Sequence, residues 1–186
     1  MWGDPHIITH DGHKYTFNGK GEFILIQTSD DSFSLQARMI PVNNVFGNGP
    51  QATVFTAIVC KQADSDTVQF EITENGTIAL INGEQIDFTD IKEQEFSNVT
   101  ISDLGNSSFS ASFSSGTYVE AREENNIFSV LIISLPEMFK GTDTSGLMGS
   151  FNSNIFDDLL PNEGTEPLSL NSTIQEIHET FGLTCE

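Results

Sequence analysis

The sequence predicts an all-β fold, an antiparallel β-sandwich of meander hairpins followed by a long ordered loop region and one short C-terminal helix. Three observations carry that prediction. Apolar and polar residues alternate along much of residues 6 to 133, Asn-Gly and Gly-rich punctuation recurs at short intervals, and the sequence turns dense in Pro, Gly, Asn and Asp after residue 134. The apolar fraction of 37% with 15 Phe residues is enough to fill a core, and 186 residues suit one domain spanning 1–186.

Residues 13 to 17, 22 to 28 and 32 to 40 read as strands, separated by Asn18-Gly19-Lys20-Gly21 and Ser29-Asp30-Asp31. In the third run Phe33, Leu35, Ala37 and Met39 alternate with Ser34, Gln36, Arg38 and Ile40, so one face meets a core and the other is largely polar. A Gly/Pro/Asn loop is predicted over 43 to 50. Strands follow over 53 to 60, 67 to 73 and 77 to 81, with Asn75-Gly76 and Asn82-Gly83 as hairpin turns. Phe109, Ala111 and Phe113, then Tyr118 to Ala121, continue the alternation, and the more fully apolar Ile127 to Ile133 predicts a central strand. Residues 134 to 170 suit a ligand-holding loop region. From Ser172 the pattern becomes helical: Ser172 and Gln175 form a capping box, Ile174, Ile177 and Phe181 share a face, and Gly182 ends the helix.

Charge narrows the function classes. With 27 acidic against 7 basic residues the net charge is -20, which opposes docking on phosphate backbones or anionic lipid headgroups and excludes nucleic acid as a partner. No run of about 18 apolar residues appears, so direct membrane insertion is not expected. Four sequons, at Asn75, Asn98, Asn106 and Asn171, and two cysteines, Cys60 and Cys185, fit a secreted or cell-surface compartment with surface glycosylation and a Cys60–Cys185 disulfide. No leader-like start is present, so the chain reads as an excised piece of a larger extracellular protein.

Two blocks carry the strongest signal. The first is Trp2-Gly3-Asp4-Pro5-His6-Ile7-Ile8-Thr9-His10-Asp11-Gly12-His13-Lys14-Tyr15-Thr16-Phe17-Asn18-Gly19-Lys20-Gly21-Glu22-Phe23, and the second is Gly146-Leu147-Met148-Gly149-Ser150-Phe151-Asn152-Ser153-Asn154-Ile155-Phe156-Asp157-Asp158. Their content and separation resemble the von Willebrand factor type D domain, most of all that of membrane-tethered mucins and sushi-domain-containing surface proteins. With the final helix, the resemblance spans essentially the whole chain.

That resemblance implies a calcium-binding loop region. A hard divalent cation takes six to eight oxygens from carboxylates, amides, backbone carbonyls and water. Asn152, Asn154, Asp157 and Asp158 concentrate such oxygens, and the resemblance adds the distant Asp11. The family pattern has Asp11, Asn152, Asp157 and Asp158 giving side-chain oxygen and Asn154 its backbone carbonyl. Ser150 stands where many members carry an Asn ligand. The same residues also suit an Asx-rich turn that bonds its own backbone, and their spacing is not that of an EF-hand. Met148 stands where polymerising members carry a cysteine, so covalent multimerisation through that motif is not expected.

His6, His10 and His13 are irregularly spaced for zinc in a segment that reads as strand and turn. Asp143-Thr144-Ser145-Gly146 reads as a turn, and no nucleophile elbow, HExxH helix or phosphate loop occurs. The function implied is a structural and interaction module of a mucin-like or adhesion protein, not an enzyme, whose partners are neighbouring domains and other extracellular proteins. A lipid-carrying module and a secreted hydrolase are the alternatives. The Gly3-Asp4-Pro5-His6 string resembles a site at which members of the family cut themselves. Asp4 would attack its own carbonyl, the Pro5 nitrogen would leave, and His6 would supply a proton.

Overall fold

The computed structural model describes residues 5–42, 52–141, 143–162 and 164–186. Alternating sequence becomes three antiparallel sheets. A two-stranded ribbon pairs β1 (His6–Ile8) with β2 (Lys14–Thr16). A seven-stranded sheet contains β3 (Gly21–Thr28), β4 (Phe33–Pro41), β5 (Thr53–Gln62), β6 (Val68–Thr73), β7 (Gly76–Ile81), β8 (Glu84–Gln85) and the late β14 (Thr144–Ser145). Its order is β14-β3-β4-β5-β6-β7-β8, a meander with the late strand added beside β3. A five-stranded sheet has the order β13-β12-β11-β10-β9, from β9 (Glu93–Phe96), β10 (Val99–Gly105), β11 (Ser108–Phe113), β12 (Tyr118–Glu124) and β13 (Ile127–Ser134).

The two larger sheets form a sandwich because each presents one apolar face to the other. Phe33, Leu35, Ala37 and Met39 of β4 are buried, as the alternation predicts, and Phe109, Ala111 and Phe113 of β11 are buried opposite them. Ring contacts cross the interface: Phe33 meets Phe113 edge-on at 5.8 Å, and Phe70 stacks on Phe109 at 5.7 Å. Asn82 and Gly83, both at positive φ, make the tight turn between β7 and β8.

Several expectations are corrected. Ile127 to Ile133 is not central: β13 ends the five-strand order, and its apolar run arises because Phe128 and Leu131 are buried while the strand lies against β5 of the other sheet. The strands β8 and β9 give little sequence signal because they are short, polar and largely exposed. The loop predicted over 43 to 50 lies outside the described residues. At the C-terminus the cap is Thr173, not Ser172, and Glu176 closes the box by accepting from the Thr173 backbone N–H at 2.8 Å. A carboxylate is a stronger acceptor than the Gln175 amide one residue earlier. Ile174 is 59% exposed, so only Ile177 and Phe181 of the predicted face are buried. The helical run continues through Ile177–Phe181 and Gly182–Cys185, and Gly182 keeps helical dihedrals instead of stopping it. Gly182 serves close approach: a Cβ there would lie 2.0 Å from the Phe17 ring.

A register shift in β3 builds the seat for the late loop. Between Ile24 and Ile26 the pairing with β4 slips by one residue, so Leu25 and Ile26 are both buried. The Ile24 and Leu25 carbonyls then accept the backbone N–H groups of Leu147 and Met148, at 3.0 and 2.9 Å. The bulge is therefore the dock on which residues 147 and 148 rest.

Candidate metal centre

Two segments far apart in sequence meet beside that dock. The turn between β1 and β2 is closed by Thr9, whose N–H donates to the His13 carbonyl at 2.9 Å and whose hydroxyl accepts from the His13 N–H at 2.8 Å. Gly12, at φ +97, allows the reversal. The late loop is held to this turn by two further bonds: the His10 N–H donates to the Met148 carbonyl at 3.2 Å, and the Tyr15 hydroxyl donates to the Leu147 carbonyl. Met148 is buried and its backbone contacts both β3 and the turn, so this position is structural here.

The junction gathers Asp11, Asp157 and Asp158, each offering an oxygen within 4.8 Å of the others. The carboxylates are not equally committed. Asp11 Oδ2 accepts from the backbone N–H groups of Asn152 and Asn154, at 3.1 and 2.8 Å. Asp157 Oδ2 accepts from both asparagine side chains, Asn152 Nδ2 at 3.0 Å and Asn154 Nδ2 at 2.7 Å. Asp158 Oδ2 takes the Thr9 hydroxyl at 2.6 Å. That leaves Asp157 Oδ1 and Asp158 Oδ1 buried without a hydrogen-bond partner. Asp158 is 1% exposed, and an unpaired buried carboxylate oxygen costs free energy that a cation or a proton relieves. Burial pushes the Asp158 carboxyl up to about 6, and the charges of Asp11 and Asp157 add to the rise, while the Thr9 hydroxyl and the Ser150 backbone N–H act against it.

Asn152 and Asn154 also do what an Asx turn does, since Asn152 Oδ1 accepts the Asn154 N–H at 2.8 Å and Asn154 Oδ1 accepts the Phe156 N–H at 3.3 Å. The two readings of this segment coexist: the asparagines shape the turn, and the turn presents the acids. Sequence reasoning missed two supporting residues. Thr9 had no signal beyond its place two residues before Asp11. Gly149, at φ +71, lies so close to Asp158 that a Cβ would sit 2.5 Å from Oδ1.

The other predicted sites fall elsewhere. His6, half-buried, pairs through Nδ1 with the Thr16 hydroxyl at 2.9 Å, and His10 lies against Phe151 at 5.1 Å. None of His6, His10 and His13 belongs to the acid cluster. The Pro5 carbonyl accepts the Phe17 N–H at 3.1 Å, while Asp4 lies outside the described residues. Cys60, in β5 between Leu35 and Val68, and Cys185, in the last helical turn, are buried free thiols that the structure does not join. Burial raises both thiols, Cys60 to about 12 and Cys185 to about 11. Asn75, Asn98, Asn106 and Asn171 are all exposed, and the Asn98 amide donates to the Asp64 carbonyl at 2.8 Å.

A sandwich of antiparallel sheets, an N-terminal ribbon and a glycine-rich late loop that brings two acids to a third in the turn of that ribbon define a class of β module. The profile of the von Willebrand factor type D domain matches residues 1–165, and the chain belongs to that family. It is 34% identical to human mucin-4 over 198 aligned positions, covering 99% of this chain and 4% of that protein. It is 31% identical to human sushi domain-containing protein 2, covering 88% of this chain and 20% of the relative. Protein mesh of Bombyx mori is 31% identical, with 97% and 12% covered. The chain thus spans a fifth or less of the length of these relatives.

Proposed function

We propose that this chain is a calcium-stabilised structural and interaction module of a larger extracellular, mucin-like or adhesion protein, acting by connection and presentation without turnover of an external substrate. The observation that carries the calcium reading is the pair of buried, unpartnered oxygens Asp157 Oδ1 and Asp158 Oδ1 beside Asp11. All-oxygen donors with three carboxylates suit a hard cation, and the oxygens of Asn152 and Asn154 extend the set. Cross-sheet ring contacts fill the interior, which supports a module over a lipid carrier. Similarity to parts of mucin-4 and sushi domain-containing protein 2 supports the extracellular setting and the neighbouring domains as partners. No helix among the described residues is long and apolar enough to cross a membrane.

The test is melting in calcium and in chelator. An ion that binds only the folded form adds about 2.7 kcal/mol at a hundredfold excess over its Kd, so chelation lowers the Tm. Asp157→Ala removes that difference. If the variant keeps the wild-type gap between calcium and chelator, the assignment is wrong.

The self-cleavage reading concerns a single maturation event at Asp4–Pro5. What supports it is on the C-terminal side of the bond, where the Pro5 carbonyl accepts the Phe17 N–H and the His6 ring pairs with the Thr16 hydroxyl. N-terminal sequencing of material carrying upstream residues tests it: a Pro5 terminus that forms in the native chain, and not in Asp4→Asn, is the expected result.

A further inference from the structure

We propose that the open edge of β7 is a strand-addition site for an extended, lysine- or arginine-bearing segment of a partner protein. The site lies on the far side of the seven-stranded sheet from the acid cluster, since β14 and β3 end that sheet on one side and β7 and β8 on the other, and it does not depend on the calcium reading. β8 is short, pairing only Leu80 with Gln85 and Ile81 with Glu84. One more bond, from the Ile86 N–H to the Ala79 carbonyl at 2.9 Å, follows before the chain leaves the sheet. Backbone groups of residues i and i+2 along a strand point to the same side, so the Thr77 N–H and carbonyl face the side that β8 has vacated. Among the described residues no strand pairs with Thr77 there. The Thr77 hydroxyl is likewise buried without a partner.

The surroundings select the occupant. Beside that edge a groove of about 510 Å³ opens between the two sheets, lined by Thr77, Ala79, Ile86, Asp87, Phe88 and Phe109 among others. Its two rings, Phe88 and Phe109, lie 5.5 Å apart. The side chain of a residue set opposite Thr77 points the same way as that of Thr77, into this groove, so an aliphatic residue suits that position. The rim is acidic. Asp87 is exposed and, among the described residues, no cation pairs with it, while Asp103 holds Lys92. Glu84, Asp90, Glu93 and Glu95 stand exposed on the adjoining strands and loop. Ile91 and Leu104, both exposed, flank the Lys92–Asp103 pair. A second copy of this chain would bring another net charge of -20 to the same edge and be repelled, whereas an extended segment of alternating aliphatic and basic residues meets main-chain groups, groove and rim at once.

The experiment measures the fluorescence anisotropy of a labelled, end-capped Lys-Val-Lys-Val-Lys-Val-Lys peptide titrated with the chain, and hydrogen exchange of the Thr77 amide by NMR. Saturable binding is expected, with exchange at Thr77 slowed in the complex. The same peptide N-methylated at each valine keeps its charge, loses the donors of one edge, and should bind at least about tenfold more weakly. Replacing its lysines by glutamate should abolish binding. Asp87→Asn keeps an oxygen for Thr89, whose N–H and hydroxyl both donate to Asp87 Oδ1, and should weaken binding roughly threefold. The inference is overturned if the peptide does not bind, if the methylated peptide binds as well as its parent, which means adsorption by charge alone, if exchange at Thr77 does not change, or if Asp87→Asn binds like wild type. Concentration-dependent dimerisation that protects Thr77 without peptide puts a second copy on the edge and overturns it too.

Discussion

Thr9 and Asp158 lie 149 positions apart and meet at 2.6 Å, the threonine hydroxyl donating to the carboxylate Oδ2 with both residues buried. The contact joins the first turn of the chain to the last long loop. It also fixes the carboxylate rotation that leaves Oδ1 uncommitted.

Removing that donor strands a buried acid. Thr9→Val is expected to destabilise the calcium-free chain by about 1 to 3 kcal/mol, the cost of an unsatisfied buried acceptor. It should also weaken calcium binding, while Thr9→Ser restores both. Denaturant melts with and without chelator, paired with a calcium titration, check this, and a Thr9→Val variant with wild-type affinity would separate the two residues functionally.

Gly149 is predicted to tolerate no side chain. Its positive φ disfavours any other residue, and a Cβ would meet Asp158 Oδ1 at 2.5 Å. Gly149→Ala should cost more than about 1 kcal/mol and abolish the stabilisation by calcium, because the carboxylate must move. Isothermal calorimetry on the folded variant reads the second effect directly.

In chelator, two groups of the junction move stability in opposite directions between pH 6.5 and 4. Asp158 rises from 3.8 to about 6 on folding, so its contribution is fully present below 3.8 and lost as pH climbs through 6. Burial takes His10 from 6.5 down to about 4, so its contribution is present above 6.5 and lost as pH falls toward 4. Each is worth roughly 2 to 3 kcal/mol across its window. Asp158→Asn should therefore lose stability on acidification from pH 6.5 to 4, and His10→Phe should gain it. Urea midpoints at several pH values decide, and parallel profiles for the two variants would refute the pairing.

Gly182 and Gly19 hold the Phe17 ring between them, a Cβ at either position falling 2.0 to 2.4 Å from ring carbons. Gly182→Ala is expected to cost about 1 to 3 kcal/mol through overpacking, although helix propensity alone favours Ala. A thermal melt no lower than wild type would mean that the helical run can shift away from Phe17.

The sheets were legible because burial on one face leaves an alternation that Phe33, Leu35, Ala37 and Met39 display openly. What stayed hidden depends on neighbours. Ile127 to Ile133 looks central because the run is almost wholly apolar, yet only Phe128 and Leu131 are buried and Ile132 is exposed, a division that a one-dimensional pattern does not contain. The cap moved by one residue because Ser172/Gln175 and Thr173/Glu176 fit the same motif, and only the strength of the acceptor separates them. In the site, Asp157 and Asp158 announced themselves by crowding, whereas Asp11 entered through resemblance alone. Thr9 acts across a long stretch of sequence and Gly149 through a dihedral angle, and neither leaves a compositional mark.

The ribbon also sets how the molecule would bear a pull. Tension from the N-terminal side first peels His6–Ile8 from Lys14–Thr16, one residue pair at a time and at low force. The load then arrives at Thr9 and Asp11, which grip the late loop and, through Leu147 and Met148, the bulge of β3. An ion shared by Asp11, Asp157 and Asp158 would sit in that line as a shear pin. The domain would yield early where calcium is scarce and hold where it is plentiful, a mechanical fuse whose rating is set by the surrounding fluid.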